Sequence, residues 1–97
     1  MTELFKVVQQ GEAFAVQSQK AEGGQTMKSN IVLQKFGGRY ADQFVAVMLG
    51  NMATAQFHPG DIVAASLRFS VHEHPAGNNQ VQIFQDILVT EIHRLRL

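Results

Sequence analysis

The sequence predicts an all-β fold: a five-stranded OB-type Greek-key barrel with a short helical turn between strands three and four. Three observations carry that expectation. Apolar residues alternate at period two in five separate runs, the mark of half-buried strands. Gly-, Pro- and Asn-rich turn signals divide the runs. A single glycine, Gly11, interrupts the first run, as expected of a strand that bends to serve two sides of a barrel.

The first strand is read over residues 4–10 and resumes past Gly11 over 12–17. A polar stretch, 18–26, holds Gly23-Gly24 and reads as a hairpin loop. The second strand is 27–36, with Ile31 and Leu33 on one face and Val32, Gln34 and Phe36 on the other. Gly37 to Asp42 makes a turn. The third strand, 43–49, ends at Gly50-Asn51, and Met52 to Phe57 reads as one or two helical turns. His58-Pro59-Gly60-Asp61 is a strong turn signal. The fourth strand, 62–73, has the cleanest alternation: Val63, Ala65, Leu67, Phe69 and Val71 against Ala64, Ser66, Arg68, Ser70 and His72. A hairpin loop over 74–79 leads to the fifth strand, 81–93, in which Phe84 is expected opposite Ile87 and Val89 given an intervening bulge.

A chain of 97 residues has room for one core, so residues 1–97 are read as a single domain. The absence of cysteine excludes disulfides, thiolate metal sites and cysteine nucleophiles. No apolar run approaches a membrane span, and residues 1–6 lack the pattern of a signal peptide, so a soluble, cytoplasmic protein is expected. Eight basic residues balance eight acidic ones. Nucleic-acid binding would therefore need a local basic stripe or aromatic stacking, and would be weak per subunit.

No nucleophile elbow, phosphate-cradling loop or carboxylate pair is present, so no catalytic activity and no cofactor are expected. His72-Glu73-His74 places two imidazoles on one strand face, but two ligands do not make a zinc site, and no metal is expected.

Phe57-His58-Pro59-Gly60-Asp61-Ile62-Val63, with Ser66-Leu67-Arg68-Phe69 after it, Phe84 to Ile92, and the Gly50-Asn51 strand end together carry a resemblance. Over residues 30–92 the chain resembles a family of small bacterial OB-fold proteins of unassigned function, related to single-stranded-DNA-binding proteins. The family tends to carry Trp where this chain has Leu49, the stretch 74–76 and Thr90. The resemblance implies a barrel that binds single strands.

The residues expected to do so are Lys28, Lys35, Phe36, Arg39, Tyr40, Arg68, His72 and Phe84. Phe36, Tyr40 and Phe84 would stack on bases; Lys28, Lys35, Arg39 and Arg68 would meet the phosphates, with His72 beside Arg68 on the outward face of strand four. Single-stranded DNA is expected ahead of RNA. The alternative is a protein-interaction or oligomerisation module without a nucleic-acid ligand, built on an edge strand or on outward apolar residues such as Val32, Ile62 and Leu88. The two readings are compatible, and a homo-oligomer, dimer or tetramer, is expected under either.

Overall fold

The alternation becomes a closed barrel in the computed structural model, which describes residues 2–17, 22–36 and 42–95. Strands β1 (Thr2–Gln10) and β2 (Phe14–Gln17) are two halves of one bent strand; β3 (Gln25–Lys35), β4 (Gln43–Leu49), helix α1 (Asn51–Thr54), β5 (Ile62–Pro75) and β6 (Val81–Arg94) follow. The hydrogen-bonded order is β1-β5-β6-β4-β3-β2, and a β1–β3 pairing closes the ring. With β1 and β2 counted as one strand, the order around the barrel is first, second, third, fifth, fourth, the Greek-key OB arrangement. Four of the five closing contacts are antiparallel ladders. The fifth is a single parallel bridge between Val47 of β4 and Leu88 of β6.

The bend at residues 11–13 is held by the Gly11 N–H, which donates to the Asn30 carbonyl at 2.8 Å. Inward-facing residues fill the barrel: Phe5 and Val7 from β1, Ile31 and Leu33 from β3, Ala46 and Met48 from β4, Val63 and Ala65 from β5, and Val89 from β6. Each large apolar side chain buried in this way stabilises the fold by about 1.5–3 kcal/mol. Phe5 meets Phe44 edge to face, centroids 5.4 Å apart. Ser29 also faces inward and is fully buried; its hydroxyl donates to the Ala53 carbonyl at 3.0 Å, tying α1 to β3.

Three expectations need correction. The helix covers Asn51–Thr54, short of Phe57, because Ala55 is extended and the Gln10 side chain takes over the connector. Gln10 Nε2 donates to the Ala55 carbonyl, and its Oε1 accepts from the Phe57 N–H, both at 2.8 Å. No bulge separates Phe84 from Ile87: simple alternation puts them on opposite faces, and the register shift lies instead where Ser66 pairs Glu91 and Leu67 pairs Val89. The last hairpin is longer than expected, because the β5–β6 ladder runs unbroken from Leu67–Val89 to Pro75–Val81. Its turn uses left-handed backbone at Gly77, Asn78 and Asn79.

This long hairpin outruns the barrel. β1 pairs with β5 only as far as Ser66, and β4 reaches β6 only at Leu88. Residues 69–87 therefore form a two-stranded arm. The radius of gyration, 15.3 Å, exceeds the ~13 Å of a compact domain of this size.

Candidate nucleic-acid interface

The strand register assembles the outward surface residue by residue. On β3 and β4 the outward pairs are Lys28–Leu49, Asn30–Val47 and Val32–Val45. β2 adds Phe14, directly opposite Lys28, and Val16 on the same face. On the arm the corresponding pairs are Arg68–Leu88, Ser70–Asp86 and His72–Phe84. The Val47–Leu88 bridge joins the two halves into one surface.

Between those halves lies a groove of about 430 Å³. One wall is Val16, Gln17 and Lys28; the floor is Val47 and Leu49; the other wall is Ser70, His72, Asp86 and Leu88 from the arm, with Ile87 of the opposite face at its edge. His72 and Asp86 also line a depression farther along the arm, with Gln82 and Phe84. Phe14 and Phe84 are both about half exposed. Each wall thus pairs a phenyl ring with a cation or imidazole: Phe14 beside Lys28, and Phe84 beside His72.

The electrostatics are mixed. His72 Nε2 lies 3.0 Å from Asp86 Oδ2, with both side chains more than half exposed. Ser70 Oγ lies 3.4 Å from the same nitrogen. Lys28 and Arg68 have no ion-pair partner among the described residues.

Of the residues expected to bind, Lys28, Arg68, His72 and Phe84 share this surface. Lys35 does not. It sits seven residues beyond Lys28 on the same strand, hence on the opposite face and ~23 Å away. There it lines a smaller cavity at the barrel mouth, about 200 Å³, with Glu3, Phe44 and Phe69. Phe36 is exposed just past the end of β3, at the far end from Lys28. Arg39 and Tyr40 lie outside the described residues. Val32 and Leu88 belong to the outward surface, whereas Ile62 pairs with Lys6 on another side of the barrel.

Sequence reasoning missed Phe14, Val47, Leu49 and Asp86. Phe14 and Val16 share parity, which was readable, but only the pairing of β2 with β3 sets their phase against Lys28.

The Phe57-x-x-Gly60-Asp61 motif lies outside the groove and acts as a clamp. The Gly60 N–H donates to the Val7 carbonyl and the Val7 N–H to the Asp61 carbonyl, each at 2.8 Å. Asp61 Oδ2 accepts from the His58 N–H at 2.9 Å and from Arg94 Nε at 3.0 Å. Arg94 also donates to the Gln56 carbonyl and covers the Phe57 ring at 5.2 Å. The His58 N–H holds the Asp61 carboxyl below its usual range; desolvation opposes this, and the Arg94 guanidinium reinforces the lowering.

Among the described residues no three His, Asp or Glu side chains gather as a metal site would require, and no helix is long and apolar enough to cross a membrane. No family model matches the chain, and no curated protein matches it in sequence.

Proposed function

We propose that the chain is a non-catalytic binding module for single-stranded nucleic acid, DNA ahead of RNA. The observation that carries this reading is the groove between the β2–β3 hairpin and the β5–β6 arm, with its apolar floor and an exposed phenyl ring beside each wall. OB barrels take ligands on this outer surface, between the loops joining strands one and two and strands four and five. Bases would stack on Phe14 and Phe84 and cover Val47 and Leu49; Lys28 and Arg68 would meet phosphates. The resemblance of residues 30–92 to small bacterial OB-fold proteins supports the same reading.

Fluorescence anisotropy with labelled oligo-dT at low salt tests it. The expected result is saturable binding in the micromolar range, weakened by Lys28→Ala and unchanged by Lys35→Ala. No binding at tens of micromolar protein overturns it.

A further inference from the structure

The alternation that buries Val63, Ala65 and Val89 does not stop where the barrel stops. It continues along the inward face of the arm as Phe69, Val71, Ile83 and Val81, which are 61, 65, 69 and 58% exposed. The register puts all four on one side of the hairpin, and the groove residues Ser70, His72 and Asp86 on the other. Large apolar side chains adjoining one another on a free surface are uncommon in a monomer.

We infer that this face is the contact between two copies of the chain, each arm lying antiparallel on the other. The charged groups around it favour a second copy as the occupant. Two polar residues interrupt the apolar face: Gln85, opposite Val71, and Glu73 toward the tip, opposite Ile83. Lys35 stands at the base, where it lines the barrel mouth with Phe69 and Glu3. Neither Glu73 nor Lys35 has an ion-pair partner among the described residues. Antiparallel apposition carries each Glu73 toward the other copy's Lys35, and a two-fold axis makes that contact twice. A chain of zero formal net charge also meets its own copy without overall repulsion.

Seven residues of strand span ~23 Å, so the arm face alone falls short of the roughly 800 Å² per partner of a standard interface. The contact therefore extends onto the mouth around Phe44 and Phe69, and the dimer dissociates in the micromolar range. It leaves the groove face of each arm open, so each copy keeps its own groove in the dimer.

Sedimentation velocity on the full chain, from low micromolar to near-millimolar concentration, tests the inference. Wild type is expected to pass from monomer to dimer, and Ile83→Asp to remain monomeric with an unchanged circular dichroism spectrum. Lys35→Glu and Glu73→Lys should each weaken the dimer at least threefold, and the double exchange should restore it. A wild type that stays monomeric throughout, or single charge reversals that the double exchange does not rescue, overturns it.

Discussion

His72 and Asp86 meet diagonally across the β5–β6 ladder, Nε2 to Oδ2 at 3.0 Å, on the wall of the groove. A pair this exposed adds at most about 1 kcal/mol to the fold. Its larger consequence is for the ligand, because it sets a carboxylate beside the path proposed for a polyanion. Asp86→Asn removes that charge and keeps the shape. Oligo-dT affinity is expected to rise severalfold at low salt, with the gain shrinking as salt screens it. Unchanged or weaker binding by anisotropy contradicts this placement of the strand.

Lys28 and Arg68, the cations that the described residues place on this surface without an ion-pair partner, set the salt response. Releasing counterions from two phosphates of a single strand gives a slope of about −1.4 in log K against log salt. Lys28→Ala should lower its magnitude by ~0.7, and so should Arg68→Ala. Lys35→Ala should leave it alone, since Lys35 faces the barrel mouth. A salt titration of the three variants separates these outcomes. A slope several times steeper would mean that other cations carry the binding.

Stacking should dominate what affinity there is. Phe14→Ala and Phe84→Ala are each expected to cost ~1–3 kcal/mol, or about 5- to 150-fold in Kd. Phe36→Ala should change binding little, because Phe36 lies at the far end of β3 from Lys28. All three side chains are about half exposed, so the substitutions should leave the fold intact, which thermal denaturation verifies. Equal effects of Phe36 and Phe14 would move the site to the other end of the barrel.

The barrel was legible in the sequence because its inner face is period two along most of each strand, broken only by the register shifts after Val7 and between Val89 and Glu91. Ile31 and Leu33, or Val63 and Ala65, declare their facing without any partner. The site was legible only in part. Parity put Arg68 and His72 together; applied to Lys28 and Lys35, seven apart on one strand, it would also have separated two residues that were expected to meet the same phosphates. What sets Phe14 beside Lys28 is a cross-strand pairing, and no single strand carries that information. The arm was hidden for a related reason: alternation from Leu67 to Val71 looks the same inside a barrel and beyond its rim. Where β1 and β4 stop pairing is decided by other segments.

Asp61 makes one part of the fold's stability depend on pH. Its carboxyl is held below the ordinary value of 3.8, first by the His58 N–H and then by Arg94. A group depressed in the folded state binds its proton first in the unfolded chain. The stabilisation is therefore complete above the unfolded value and is lost as pH falls through the folded one. Wild type should lose thermal stability below pH 3.8 partly through this group. Asp61→Asn keeps an oxygen to accept the His58 N–H but removes the charge facing Arg94. The variant is expected to have a lower Tm than wild type at neutral pH, and the two curves should converge as acid protonates Asp61. Melting curves over a range of pH on both proteins check this. A constant difference in Tm down to the most acidic point would show that the clamp acts through shape alone.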